Sequence, residues 1–196
     1  MKIVFLVSKF INWLIKKESE KLEFLKSLPK NSVGVEIGVW LGDLSQEILE
    51  IVQPKKLHLI DPWEFFPQYP HRWYGGGVAK KQADMDKIYR KVKKRFAGQK
   101  QVIVHRGKSE EVVQKFANNY FDWIFIDGDH SYEYVKKDLE LFYSKVKVGG
   151  IIGGDDYWWA PIEGFPIRRA VKEFLGSHRA KLISTRKGIY VIKKEE

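Results

Sequence analysis

Apolar positions along this chain fall into two spacings that alternate. Short runs, strand-like, give way to stripes recurring every three or four residues, which are helix-like. Val33, Val35 and Ile37 form the first run, which stops at Gly38; after Gly42, Leu44, Ile48, Ile51 and Val52 recur at helical spacing. Leu57 to Ile60 is the second run, and Met85, Ile88, Val92 and Phe96 are the next stripe. Gln101 to Val104 reads as a third strand, followed by a short helix for which Ser109 is the expected N-cap, with Glu110 and Glu111 in its first turn. Trp123 to Asp127 is the fourth strand, and Ser131 caps a helix with a core stripe of Val135, Leu139, Phe142 and Val146. Gly149-Gly150 is expected to turn into a fifth strand at Ile151-Ile152. Pro166 starts a helix that buries Ile167, Ala170, Val171, Phe174 and Leu175 and stops at Gly176. Lys181 to Thr185 and Ile189 to Ile192 are two closing strands joined at Lys187-Gly188. The alternation predicts one α/β domain over residues 31–196: a doubly wound, mostly parallel sheet with a closing antiparallel strand and helices on both faces.

Two segments stand outside the alternation. Residues 1–30 are expected to form a helical segment running from Met1 to about Leu28, broken by Pro29. Its apolar start, MKIVFLVSKFINWLI, is too short and too interrupted to span a membrane. Packing against the domain or a second subunit is the expected use of it. The stretch from Pro62 to Gly77, PWEFFPQYPHRWYGGG, is crowded with proline, glycine and aromatics, which predicts an irregular, lid-like loop.

Composition narrows the chemistry. The chain has 196 residues and no cysteine, which excludes disulfides and thiolate metal sites and suits a reducing, cytoplasmic setting. A formal net charge of +10 raises nucleic acid, anionic membranes and acidic substrates as partners. The densest basic cluster, Lys87 to Lys100, is read as a solvated helix face.

The candidate chemistry sits at the ends of the apolar runs. Glu36 lies within the first, Asp61 closes the second, Asp127-Gly128-Asp129-His130 follows the fourth, and Asp155-Asp156 follows the fifth. In an open α/β sheet, ligands bind at the carboxyl ends of the strands, near the point where strand order reverses. Neither G-x-G-x-x-G nor a P-loop is present, so the first turn alone says little. Oxygen ligands without thiolates suit Mg²⁺, Mn²⁺ or Ca²⁺. His58 and His178 are read as structural, with His71 and His105 left open.

Four stretches carry a family resemblance: Val35-Glu-Ile-Gly-Val-Trp-Leu-Gly42, Leu59-Ile-Asp-Pro-Trp63, Phe121-Asp-Trp-Ile-Phe-Ile-Asp-Gly-Asp-His-Ser-Tyr132 and Gly149-Gly-Ile-Ile-Gly-Gly-Asp-Asp-Tyr157. Arg169 to Phe174 adds a fifth. They resemble class I S-adenosylmethionine-dependent methyltransferases of the methyltransferase-24 type, relatives of sugar, macrolide and catechol O-methyltransferases. The resemblance implies a Rossmann-like fold and S-adenosylmethionine as cofactor. It implies that Glu36, Gly38 and Gly42 form the first cofactor loop and that Asp61 accepts hydrogen bonds from the ribose hydroxyls. Ser109 would lie near the adenine, and Asp127 would border the cofactor. Asp127, Asp155 and Asp156 match the divalent-metal triad (Mg²⁺) of the metal-dependent members, and His130 falls where those relatives place a catalytic base. Trp40 departs from the family pattern, which has glycine there.

The expected reaction is O-methylation of a hydroxylated small molecule or sugar, helped by a divalent metal. Homo-oligomerisation stays open. Nucleic acid is not the expected acceptor, since no N-P-P-Y-type motif is present. A nucleic-acid methyltransferase and a non-catalytic S-adenosylmethionine-binding protein are the rival readings.

Overall fold

The computed structural model describes residues 21–160 and 164–196. Seven strands form one sheet: β1 (Val33–Ile37), β2 (Lys56–Asp61), β3 (Val102–Arg106), β4 (Phe121–Ile126), β5 (Val146–Gly154), β6 (Ala180–Ser184) and β7 (Tyr190–Lys194). Their order is β3-β2-β1-β4-β5-β7-β6. The first five are parallel, and β7 runs antiparallel to both β5 and β6. Strand order reverses between β1 and β4, the place where such sheets open a crevice for a ligand.

Six α-helices are described: α1 over residues 21–27, α2 (Asp43–Ile51), α3 (Gln82–Arg95), α4 (Ser109–Val112), α5 (Tyr132–Tyr143) and α6 (Pro166–Ser177). The apolar stripes divide between two core clusters. One joins Val135, Leu139, Phe142, Ile167, Val171 and Phe174 of α5 and α6 to Ile124 and Ile152. The other joins Ile48, Ile88 and Val92 of α2 and α3 to Leu57, Leu59 and Trp123. All five residues of β1 are buried, as a strand covered on both faces requires.

The helix expected from Met1 is described only over residues 21–27; the rest of that expectation lies outside the described residues. Phe24, Leu25 and Leu28 are buried in the second cluster, and the Phe24 ring packs 5.1 Å from that of Phe125.

Several boundaries differ from the sequence reading. Val146 is the first residue of β5, not the last of the preceding helix. Lys145 closes a turn by donating to the Phe142 carbonyl (2.9 Å), and Val146 pairs with Phe121 in register. The apolar spacing carried through because both segments face the same core. Gly149-Gly150 lies inside β5, where Gly149 turns left-handed (φ 77°) at the irregular register between Phe121 and Trp123. Helix α6 passes through Gly176 to Ser177, and the His178 N–H closes on the Phe174 carbonyl (3.1 Å). The stretch from Pro62 to Gly77 is irregular except for Trp73–Gly77, which close one wide helical turn. No helix among the described residues is long and apolar enough to cross a membrane.

Candidate functional site

Register assembles the site. Ile37 pairs with Ile60 on one side and with Ile126 on the other, and Ile126 pairs with Gly154. The next residue of each strand therefore stands at one level: Gly38, Asp61, Asp127 and Asp155. Strand-end acids scattered over 95 positions of sequence meet along one edge because parallel strands all end on the same side.

The first turn is built for close approach. Gly38 has φ 90°, and a Cβ there would come within 2.3 Å of the Asp127 carbonyl oxygen. The glycine is thus demanded by the neighbouring loop. Gly42 precedes α2 with φ 79°. Asp61 ties the turn down. Its Oδ2 accepts the N–H groups of Val39 (3.0 Å) and Trp40 (2.9 Å), and its Oδ1 accepts that of Trp63 (2.7 Å). Burial nevertheless pushes the Asp61 carboxyl above the usual carboxylate range. Trp40 keeps a left-handed backbone (φ 52°), the conformation that the glycine of the family pattern would take without strain. Its ring lies 5.8 Å from that of Trp73 in the loop after β2, and its carbonyl accepts the Trp63 indole N–H (3.0 Å).

Glu36 is fully buried in β1. The Ser45 hydroxyl of α2 donates to its Oε2, while its Oε1 is buried with no hydrogen-bonding partner. Burial pushes this carboxyl up to about 8. A buried acceptor with no donor is costly, by about 1–3 kcal/mol, unless a ligand supplies one. This orphaned oxygen beside the glycine turn fits a cofactor that carries an ammonium group, as S-adenosylmethionine does.

The second half of the edge holds the charged groups. The Asp127 N–H donates to the Ile37 carbonyl (2.8 Å), which fixes the loop after β4 against the glycine turn. His130 stands between two carboxylates, its Nε2 3.5 Å from Asp127 Oδ1 and its Nδ1 3.2 Å from Asp156 Oδ2. Burial opposes its charge, but Asp127, Asp156 and Asp155 outweigh that and hold its pKa above the ordinary histidine value. Asp156 has φ 57°, a backbone state that costs energy and clusters at functional sites.

The expected metal triad is not assembled. Lys21 of α1 places its Nζ 2.9 Å from Asp127 Oδ2 and 2.9 Å from Asp155 Oδ2, while Asp156 faces His130. Among the described residues no group of acids and histidines is placed to hold a metal ion. An ammonium between two of the three carboxylates does not fit a dication on the same oxygens. Asp127 itself is held down at about 2: burial works against its charge, and Lys21 and His130 more than compensate.

Ser109 also sits differently from expectation. It is the first residue of α4, with Lys108 as the N-cap, and the Lys108 N–H donates to Glu111 Oε2 (3.0 Å). The Ser109 hydroxyl donates to Asp138 of α5, whose carboxyl burial pushes up to about 7. The hydroxyl of Ser109 thus joins α4 to α5.

Sequence reasoning missed two further groups. Tyr74 of the loop donates its hydroxyl to Asp129, two residues after Asp127, and Arg72 lies 5.3 Å from the Trp159 ring. That ring in turn lies 5.8 Å from His130. The density of aromatics in the loop was the only signal for either contact. His58 is buried and meets His105 (2.9 Å) and Tyr120 (3.1 Å), and burial drives its pKa down to about 3. Both histidines thus belong to an aromatic cluster with Phe116 and Phe121.

A family model described as a methyltransferase domain matches residues 35–157, more than half of the chain. The chain belongs to this methyltransferase family. It is an S-adenosylmethionine-dependent enzyme of the class I fold. The O-methyltransferase NovP is similar in structure, with a TM-score of 0.64 and 20% identity, covering 93% of this chain and 81% of that one. A Staphylococcus aureus protein provisionally assigned as a caffeoyl-CoA O-methyltransferase has a TM-score of 0.56 and 16% identity over 92% of this chain and 83% of its own. A Clostridium thermocellum protein provisionally assigned as an rRNA methylase has a TM-score of 0.61 and 14% identity, covering 92% and 96%. At these identities the likeness is one of fold. In sequence, an uncharacterised protein of Acanthamoeba polyphaga mimivirus is 48% identical over 46 residues. That match spans 22% of this chain and 21% of the relative.

Proposed function

We propose that this methyltransferase acts on a hydroxyl of a small molecule, with His130 accepting the hydroxyl proton. The observation that carries this reading is the placement of His130 between Asp127 and Asp156 at the strand edge, next to the glycine turn. Two carboxylates fix the ring and favour the imidazolium that forms when the proton arrives. Within this reading, Glu36 and the turn from Gly38 to Gly42 hold the methionine end of the cofactor, and Asp61 holds the ribose. When bound, S-adenosylmethionine supplies an electrophilic methyl group on a positively charged sulfur. The chain's task is to hold the hydroxyl in line with it, exclude water and take away the proton. The methyltransferase unit runs over residues 31–196, with residues 62–77 as its lid, and works in the cytoplasm.

Calorimetric titration with S-adenosylmethionine and its demethylated product tests the cofactor site, followed by a turnover screen over hydroxylated sugars and phenols. Micromolar binding, about −8 kcal/mol, is expected. His130→Ala is expected to leave that binding unchanged and to lower kcat by roughly 10²–10⁴-fold. Full turnover in His130→Ala overturns the proton-acceptor role. Salt-sensitive RNA binding through Lys87, Arg90, Lys91 and Lys94 on α3, together with methylation of RNA, would move the acceptor to nucleic acid.

A further inference from the structure

The acidic edge already contains a cation, and it is covalently attached. Lys21, Phe24, Leu25 and Leu28 follow the spacing that places residues on one face of a helix. Phe24 is wedged between Phe125 of β4 and Gly153 of β5, where even an added Cβ would lie 2.5 Å from its ring. Leu25 and Leu28 are buried beside it. One turn back, the same face carries Lys21 across the Phe125 ring (6.0 Å) to the ends of β4 and β5. There the ammonium meets one oxygen of Asp127 and one of Asp155, each at 2.9 Å. Lys21 lies outside residues 35–157, so nothing in the matched family region anticipates it.

We propose that Lys21 is a built-in cation that occupies the acidic strand edge and excludes divalent metal from Asp127 and Asp155. A Mg²⁺ or Mn²⁺ ion would need those oxygens at about 2 Å and would bring its two positive charges against the ammonium. Metal and lysine are therefore mutually exclusive on these carboxylates. The packed helix keeps the ammonium at a high effective concentration that a free ion must outcompete. The lysine also balances the charge of two carboxylates brought together by strand register, so the edge forms without an ion. The inference concerns the cation alone and stands apart from the identity of the methyl acceptor.

Mn²⁺ binding followed by electron paramagnetic resonance reads this directly, without turnover. The full chain would be compared with Lys21→Met, Lys21→Arg and the double variant Lys21→Met/Asp155→Asn. Lys21→Met is expected to bind Mn²⁺ at least 10-fold more tightly than the native chain, Lys21→Arg to bind like the native chain, and the double variant to lose the gain. Circular dichroism checks the fold; if Lys21→Met unfolds, Lys21→Gln, equally uncharged but polar at its tip, takes its place. Equal Mn²⁺ affinity with and without the lysine, including no binding by either, overturns the proposal. So does a gain that survives Asp155→Asn, because the ion would then sit elsewhere.

Discussion

The acidic strand ends lie at one level of this sheet, and its two halves are neutralised in different ways. Asp61, at the end of β2, is met by three backbone N–H groups from Val39, Trp40 and Trp63. Asp127 and Asp155, after β4 and β5, are met by the side chains of Lys21 and His130. Backbone dipoles are part of the fold and cannot leave. A lysine at the end of a four-carbon stem and a histidine near its titration range can move or change charge. The first half of the edge is thus a fixed frame, and the second half is held by side chains and is where a proton can be exchanged. This division matches the proposed labour of the site, with the cofactor held on the first half and proton transfer on the second.

The comparison can be broken from either side. The largest effect is expected for Asp61→Ala. It leaves the N–H groups of Val39, Trp40 and Trp63 without their acceptor, so stability should fall by about 3 kcal/mol or more in a denaturant titration, and cofactor binding should be lost. Asp155→Asn on the other half should cost less, because Asp127 still holds the Lys21 ammonium and the amide oxygen can still accept the Asp156 N–H. Equal losses in the two variants would show that both halves are fixed frames.

A smaller effect sharpens the same contrast through pH. Glu36 titrates at about 8 in the fold against an ordinary 4.5, because burial disfavours its charge. An acid whose folded pKa is raised supports the fold below the ordinary value and loses that support as pH rises through the folded one. Stability of the native chain should therefore decline between about pH 4.5 and 8, and Glu36→Gln should flatten that slope. Thermal melts across this window, made without cofactor, check it; an unchanged slope would mean that another group carries the decline. The smallest effect is expected for Tyr74→Phe. Loss of its hydrogen bond to Asp129 should cost about 1 kcal/mol or less and raise KM a few-fold, with kcat nearly unchanged. A fall in kcat instead would place the loop in the chemical step.

The strand-end acids were legible because apolar runs bounded by Gly, Asp and Pro mark strands, and parallel strands bring their ends to one edge. The histidine was legible for the same reason: it follows β4 by a few residues. Lys21 was not, because it is separated from Asp127 by 106 positions and sits on an apolar stripe whose partner the sequence does not name. The metal triad expected from the resemblance is not assembled among the described residues, and its three residue types did not reveal the ammonium packed among them. The Tyr74–Asp129 contact, 55 positions apart, was hidden in a loop without periodicity. Val146 was misplaced because helix and strand bury their side chains in one core, so the stripe continued while the backbone changed. Ser109 was placed at a cap by composition, whereas a buried acid on α5 claimed its hydroxyl.

By itself, the sequence determined the α/β alternation, the class of the fold and the types of residue at the ligand edge. Those follow from local periodicity and from turn residues, whose effects act over a few positions. Only the tertiary structure decided which charge meets which. It seated α1 so that a lysine lies between two aspartates, turned three amides onto Asp61 and left one oxygen of Glu36 without a donor. Such pairings depend on packing between segments distant in the chain, where no local spacing carries the information.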